Sequence, residues 1–149
     1  MNKPKFKVMI VDDEPTIIRT VRRYFMLNAL LDTVEFYESA TFQEALVQLE
    51  AVNPNIIIQD INLPDGNGLQ FIKQAKKKYP MIQFIVITGA SDLDRAMEAL
   101  SFGAVDYLKK PVDMEMLADV VREALRRCER WGELLWSEYM AEEGAEDAS

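Results

Sequence analysis

Short apolar runs rich in valine and isoleucine recur along the chain, separated by longer segments with helical periodicity. Five of these runs are strand candidates: 6–11 (FKVMIV), 33–37 (TVEFY), 55–59 (NIIIQ), 84–88 (FIVIT) and 104–108 (AVDYL). The first, third and fourth runs are almost continuously apolar rather than alternating, which is typical of strands buried on both faces of a parallel sheet. The pattern therefore predicts a central sheet with helices on both faces.

Five amphipathic segments with apolar residues at steps of three and four fit between and after the strands. Their predicted starts and ends are marked by Pro15, Thr41 with Glu44 in a capping box, Gly68, the cations Lys76 to Lys78, Ser91 or Asp92, Gly103 and Asp113. Strand and helix thus alternate five times, which predicts an α/β fold with right-handed crossovers. We expect a doubly wound, five-stranded parallel sheet, and for the strand order 2-1-3-4-5 the ligand crevice lies between strands 1 and 3.

Length and composition narrow the class of protein. The 149 residues suffice for one domain, and 17 basic against 25 acidic residues give a net charge of -8, which disfavours direct binding to nucleic acid or an anionic membrane. The chain has no histidine and one cysteine, Cys128, so it offers no histidine base, no phosphohistidine and no intrachain disulfide. No stretch approaches the roughly 20 apolar residues of a membrane span, and the expected location is the cytoplasm.

Aspartates stand at the predicted ends of strands 1 and 3. Asp12 and Asp13 follow the first strand and Asp60 follows the third. A single aspartate after a strand usually caps a helix, but three carboxylates at one switch point repel each other unless a cation lies among them. Magnesium prefers such all-oxygen sites, so the sequence predicts a Mg²⁺ site here.

Two further groups follow strands 4 and 5. Thr88 closes the fourth apolar run, where its hydroxyl can bind an anion, and Lys110 supplies a cation after the fifth. Lys109 should point the opposite way, as neighbours in an extended segment do. The Lys110–Pro111 bond can be cis and would then turn the chain sharply. Together these residues favour a phosphate site beside the carboxylates.

Four motifs in this order resemble the receiver domain of bacterial two-component response regulators. They are 11–15 (VDDEP), 60–68 (DINLPDGNG), 88–90 (TGA) and 107–111 (YLKKP), and the resemblance covers about residues 5–127. Each motif alone is weak, but four on the expected strands make a strong signal. The resemblance implies a flavodoxin-like (βα)5 fold and a role in phosphorelay signal transduction.

The resemblance also implies a role for each residue of the site. Asp60 is the expected phosphoacceptor. Asp13, Asp60 and the backbone carbonyl of Asn62 would bind Mg²⁺ directly, and Asp12 would bind it mainly through water. Thr88 and Lys110 would bind phosphoryl oxygens, Gly89 would leave room for the phosphoryl group, Tyr107 would be the switch aromatic, and Asn62 and Ala90 would influence the lifetime of the phosphorylated state. The protein is expected to be no enzyme in the usual sense but a phosphoacceptor with self-catalysed phosphotransfer and autodephosphorylation. The donor would be a sensor histidine kinase or a histidine phosphotransfer protein, and the face made by helix 4, strand 5 and helix 5 would change its contacts.

Three other functions fit the pattern less well. An FMN carrier of flavodoxin type needs a Ser/Thr/Gly-rich phosphate loop after strand 1, where this chain has Asp12, Asp13 and Glu14. A phosphatase of dehalogenase type places Asp-x-Asp after its first strand. A non-phosphorylated structural adaptor remains as the alternative, and Thr88 and Lys110 argue against it.

The last part of the chain extends the helical pattern. We assign residues 1–128 to the receiver domain and 129–149 to a helical extension with an acidic tail, in which 141–149 are expected to be disordered. Trp131 and Leu135, with Leu134, Trp136 and Tyr139 nearby, either fold back over the domain or form a protruding helix that dimerises or binds a downstream partner. The chain is either a single-domain regulator or the receiver of a longer one with a DNA-binding or enzymatic effector.

Overall fold

Five parallel strands form one sheet in the order β2-β1-β3-β4-β5 in a computed structural model that describes residues 5–89 and 92–147, the last twelve as backbone only. The strands are β1 (Phe6–Val11), β2 (Val34–Ser39), β3 (Ile56–Asp60), β4 (Gln83–Thr88) and β5 (Asp106–Lys109). The order and the parallel pairing confirm the predicted doubly wound sheet.

Helices follow each of the five strands. They are α1 (Pro15–Leu27), α2 (Phe42–Val52), α3 (Gly68–Lys78), α4 (Leu93–Ser101) and α5 (Met114–Asp147). A 3₁₀ turn spans Leu30–Asp32, and a short antiparallel pair, Asn62–Leu63 with Gly66–Asn67, lies between β3 and α3.

Two of the predicted caps, Thr41 and Asp113, form hydrogen bonds, whereas Asp92 precedes α4 without a side-chain cap bond. Thr41 Oγ1 accepts a hydrogen bond from the Glu44 amide at 3.1 Å, while the Glu44 carboxylate accepts one from the Ala40 amide at 2.9 Å, one residue earlier than in a standard capping box. Asp113 caps α5 through the amides of Glu115 and Met116. These caps satisfy N–H groups that a helix start leaves without a partner.

The strand bounds differ slightly from the prediction, most of all for β5. This strand begins at Asp106, two residues after the predicted start at Ala104. Gly103, with φ of +106°, ends the turn after α4, and the Ala104 amide donates to Ala99 O. The apolar Ala104 therefore completes the end of α4, and strand pairing starts only after it.

Hydrophobic clusters cover both faces of the sheet. Alternate strand residues such as Ile56 and Ile58 pack with α1 and α5, while Ile57 and Phe84 pack with α2, α3 and α4. This explains the continuous apolar runs, because both side-chain directions of the central strands are buried. The sheet is a rigid base for the residues at its carboxyl edge.

The last helix is longer than the rest of the fold requires. α5 has 34 residues, or about 50 Å at 1.5 Å per residue. It is helical to Asp147, which differs from the disordered tail predicted for 141–149, because alanine and glutamate there are strong helix formers. Ala148 and Ser149 lie outside the described residues.

The extension does not fold back as a separate segment. Trp131 is half-buried, whereas Leu134 and Leu135 are 58% and 55% exposed, so burial of Leu135 against the domain, one of the two expectations, is wrong. The side chains of Trp136 and Tyr139 lie outside what the structure describes. Within the described residues, no helix is both long and apolar enough to cross a membrane.

Candidate functional site

The carboxyl ends of the strands bring the predicted site residues to one edge of the sheet. In the register, Val11 lies opposite Gln59 and Thr88 lies opposite Lys109. The residues that follow these pairs therefore leave the sheet side by side. One carboxylate oxygen from each of Asp12, Asp13, Glu14 and Asp60 lies within 4.8 Å of the others.

Lys110 is the cation at the centre of this acidic group. Its Nζ lies 2.7 Å from Asp60 Oδ2, 3.0 Å from Glu14 Oε1 and 3.5 Å from Asp12 Oδ2. Its neighbour Lys109 is exposed, which agrees with the prediction that the two lysines point in opposite directions. The Lys110–Pro111 peptide bond is cis, and the Lys110 amide donates to Thr88 O at 2.8 Å.

Burial and charge shift the proton affinities of two of these groups. Asp12 is fully buried, and desolvation raises the pKa of its carboxyl above the ordinary value, although the Glu14 amide and Lys110 oppose that effect. Desolvation lowers the pKa of Lys110, but hydrogen bonds to Asp60 and Glu14 outweigh it and the pKa is raised overall. Lys110 is therefore a permanent cation in this site.

Asp60 is held at both carboxylate oxygens. Oδ2 accepts a hydrogen bond from Lys110 Nζ, and Oδ1 accepts one from the Asn62 amide at 2.9 Å. Its side chain is 9% exposed, so a narrow opening to solvent remains. Accepting at both oxygens is the pattern of an ionised carboxylate.

The donor set fits a magnesium ion. Asp12 Oδ2 is buried and accepts no hydrogen bond, although Lys110 Nζ lies 3.5 Å away. A buried carboxylate oxygen without a hydrogen-bond partner is costly, and a divalent cation among oxygen ligands would offset that cost. The residues present therefore match the chemistry of Mg²⁺.

Thr88 lies at the carboxyl end of β4 and Tyr107 lies two residues before the end of β5, and in the described part of the chain neither side chain forms a hydrogen bond with Asp60. The Thr88 hydroxyl is buried and donates to the carbonyls of Gly89 at 3.2 Å and Asp92 at 3.4 Å. Tyr107 is half-buried against the cluster shared with α4. Both are placed where a change at the site could reach α4. Ala90, the other residue expected to influence the phosphorylated state, lies outside the described residues.

Sequence reasoning missed three residues at the site. Glu14 pairs with Lys110, and Asp92 and Arg95, at the start of α4, bind the side chain of Asn62. The signal for Glu14 was its place directly after the aspartate pair. The contacts of Asp92 and Arg95 depend on how α4 docks on the loop after β3, and no local pattern predicts that.

Comparison with known proteins identifies the family of the chain. Residues 8–122 match the family described as response regulator receiver domain. The match covers well over half of the chain, and the chain belongs to this family. The fold agrees with this family, and the chain's function is that of a phosphorelay receiver.

Two curated relatives show how the chain compares with longer regulators. It is 36% identical to the DNA-binding transcriptional regulator NtrC of Escherichia coli over 118 residues, which are 79% of this chain and 24% of NtrC. It is 30% identical to the probable C4-dicarboxylate response regulator DctR of Halalkalibacterium halodurans, over 89% of this chain and 58% of that protein. The chain thus spans about a quarter of the length of NtrC.

Solved structures confirm the fold. The REC domain of AraT, a response regulator from Geobacillus stearothermophilus, superposes with a TM-score of 0.79 at 31% identity and covers 87% of this chain and 99% of its own. A CheY-like receiver domain protein from Methanospirillum hungatei gives a TM-score of 0.76 at 28% identity, over 85% and 98% of the two chains.

Proposed function

We propose that Asp60 is the residue of this receiver that accepts the phosphoryl group. The observation that carries the proposal is the position of its carboxylate, which lies at the carboxyl edge of the sheet beside Lys110 and the aspartates that follow β1. Asp60 is nearly buried but retains an opening to solvent, as a group that must meet a donor requires. The alternative, a non-phosphorylated adaptor, provides no reason to hold a lysine among four acids.

Asp12, Asp13, Asp60 and the backbone carbonyl of Asn62 would hold Mg²⁺. When bound, the ion neutralises charge on the phosphoryl oxygens. Lys110 neutralises the same oxygens from its place beside Asp60 Oδ2, and the Asn62 amide keeps the Asp60 carboxylate oriented. An ionised carboxylate needs no general base, which explains how a site in a chain without histidine carries out the transfer.

Phosphorylation would be read out through Thr88 and Tyr107. Turning the Thr88 hydroxyl towards a phosphoryl oxygen breaks its contacts to the carbonyls of Gly89 and Asp92. Space beside Thr88 would then be open to Tyr107, and the face made by α4, β5 and α5 would change its contacts. The protein would act as a phosphoacceptor with self-catalysed transfer and hydrolysis.

The proposed donor is a sensor histidine kinase or a histidine phosphotransfer protein. The proposed output is contact with a downstream protein or a second copy through the α4-β5-α5 face or the extension of α5. Since the matched relatives are longer, the chain also fits the receiver portion of a larger regulator. The proposed place of action is the cytoplasm, where a thiol such as the buried Cys128 stays reduced.

A phosphoryl mimic tests the proposal. Beryllofluoride with Mg²⁺ should shift the amide NMR signals of Thr88, Tyr107 and α4 in the wild-type protein. The Asp60→Asn variant should show no such shifts, because the acceptor oxygen pair is lost. Unchanged wild-type spectra at saturating mimic and metal would disprove the proposed site.

A further inference from the structure

A groove lies between α5 and the turn that follows α1. Its volume is about 1050 Å³, and one wall is α5 from Arg122 to Glu133. The other wall includes Lys5 and Phe6 at the start of β1 and Thr33 just before β2. These residues place the groove at the amino-terminal edge of the sheet, opposite the edge that holds the phosphorylation site. The groove is therefore a separate surface.

The α5 wall carries two pairs of like charges in succession. Arg122 and Arg126 line its first part, and Glu129 and Glu133 line its second part. The members of each pair are four residues apart, a spacing at which like charges repel each other within a helix. The bases also precede the acids along the chain, which is the less favourable order for pairs within one helix. The stability of α5 alone does not account for this pattern.

Three of these four charges have no ion-pair partner among the described side chains. Arg122 pairs with Asp119 at 3.1 Å, but none of the salt bridges in this part of the chain involves Arg126, Glu129 or Glu133. All three are exposed. They can therefore pair with a partner that carries the same charges in the reverse order.

A second copy of α5 carries the charges in that order when it runs in the opposite direction. Reversal about the centre of the series puts Arg122 opposite Glu133 and Arg126 opposite Glu129. Two antiparallel copies related by a two-fold axis would form each of these pairs twice. The occupant that the charges of the groove fit best is thus a second copy of this chain.

Gly132 gives a separate reason to expect a neighbouring backbone in the groove. A Cβ at this position would meet no described atom within 4 Å, so the packing of the chain itself does not require glycine there. Glycine is less stable than alanine inside a helix, but it lets another backbone approach closely. Leu134 and Leu135 follow on the same helix and are exposed, so contact with a second helix would also bury apolar surface.

We propose that this groove is a dimerisation surface in which the α5 helix of a second copy lies antiparallel to that of the first. Arg122 then faces Glu133 of the partner subunit, and Arg126 faces Glu129 of the partner subunit. Apolar contact in the groove supplies affinity, while the charges fix the direction of the two helices. The inference rests on the part of the proposed function that assigns an output to the extension of α5. It does not depend on Asp60, so the unphosphorylated chain dimerises.

Analytical ultracentrifugation of the full chain in EDTA tests the proposal. The wild type should change from monomer to dimer as its concentration rises towards the millimolar range. Arg126→Glu and Glu129→Arg should each weaken the dimer by about tenfold or more, because each places like charges opposite one another twice. Arg19→Glu, which reverses an exposed charge of α1 outside the groove, is the matched control and should dimerise as the wild type does.

An equimolar mixture of the Arg126→Glu and Glu129→Arg proteins gives the decisive result. In the mixed dimer an acid again faces a base at both contacts, so the affinity should return to within about threefold of the wild type. Charge pairing within one helix cannot produce this recovery. A wild type that stays monomeric, single variants that dimerise as the wild type does, or a mixture without recovery would overturn the proposal.

The Asp60→Asn variant separates this proposal from the proposed function of the phosphorylation site. It should dimerise as the wild type does, because the groove lies at the other edge of the sheet. A wild type that takes up label from acetyl phosphate but stays monomeric would refute the dimer alone. A wild type that dimerises but takes up no label would refute the role of Asp60 alone.

Discussion

The two sides of Asp60 differ in the residues that form them and in their exposure to solvent. On the β1 side, Asp12 is fully buried and Lys110 lies within 4 Å of three carboxylates. On the β4 side, Asn62 is exposed and its partners Asp92 and Arg95 are half-buried. The first side combines the buried Asp12 with charges that reach solvent at Asp13 and Glu14, and the second consists of hydrogen bonds close to water.

This difference predicts different effects of substitution on the two sides. Charges in a poorly solvated place, such as Asp12 beside Lys110, interact strongly, and there they can stabilise a phosphoryl group. Exposed hydrogen bonds contribute little to stability and form and break easily. We therefore expect changes on the β1 side to alter reaction rates and metal binding strongly, and changes on the β4 side to alter them by smaller factors.

The largest effect is expected for Lys110→Ala. Lys110 is the cation beside Asp60 Oδ2, and its removal should lower the rate of phosphorylation from acetyl phosphate by about 100-fold or more, the range for losing one donor to a developing negative charge. Uptake of radiolabel measures the rate. The adjacent exposed Lys109→Ala is the matched control. Equal losses in both variants would show that only overall charge matters.

The next effect concerns the metal. Asp13→Asn should weaken Mg²⁺ binding by about tenfold or more, because a direct carboxylate ligand is lost from an all-oxygen site. Isothermal titration calorimetry with MgCl₂ measures the affinity. Asp94→Asn, which removes an exposed acid of α4 outside the cluster, should bind as the wild type does. Unweakened binding by the Asp13 variant would place the metal elsewhere.

A smaller effect concerns the stability of the metal-free protein. Burial raises the pKa of Asp12, so the folded chain holds this proton more tightly than the unfolded chain, and stability is lost as pH rises from about 4 through the raised pKa. Asp12→Asn removes the buried charge and should have a higher free energy of unfolding than the wild type at neutral pH in EDTA.

The difference in free energy of unfolding between Asp12→Asn and the wild type should shrink as the pH falls towards 4, because the wild-type carboxyl then becomes protonated. Urea unfolding at several pH values measures it, with the exposed Asp119→Asn as control. A pH-independent difference, or lower stability of Asp12→Asn at neutral pH, would disagree with the burial argument.

The smallest effect is expected for the stability of an Arg95 variant. Arg95→Ala should change the free energy of unfolding by no more than about 0.5 kcal/mol, because its partners are amides near solvent and no buried charge loses its counterion. Urea unfolding measures this change. A loss of several kcal/mol would make the contacts of Arg95 part of the structural framework and end the contrast between the two sides.

Local patterns were sufficient to predict the sheet and most of the acidic side. Continuous apolar runs indicated buried parallel strands, and parallel strands place their carboxyl ends together, so Asp12, Asp60 and Lys110 could be predicted to meet. The roles of these residues came from the resemblance to a family, because spacing alone does not distinguish a phosphoacceptor from a metal ligand.

The contact between Arg95 and Asn62 and the extension of α5 were less predictable. Arg95 is one exposed-face position of an amphipathic helix, and only the docking of α4 decides that it meets Asn62 rather than solvent. The acidic composition after Ala141 suggested disorder, but strong helix propensity competes with that signal, and the helix continues to Asp147. For Arg95, the local pattern does not contain the docking of α4 that decides its contact. For the tail, helix propensity outweighed the acidic composition that suggested disorder.

The central claim is that Asp60 accepts the phosphoryl group in a magnesium-dependent reaction. Peptide mapping by mass spectrometry, after incubation with acetyl phosphate and Mg²⁺, tests it most directly. We predict one added phosphoryl group on the peptide that contains Asp60, absent in EDTA and absent in Asp60→Asn. Modification of another peptide in the wild type, or modification that persists in Asp60→Asn or in EDTA, would contradict the account.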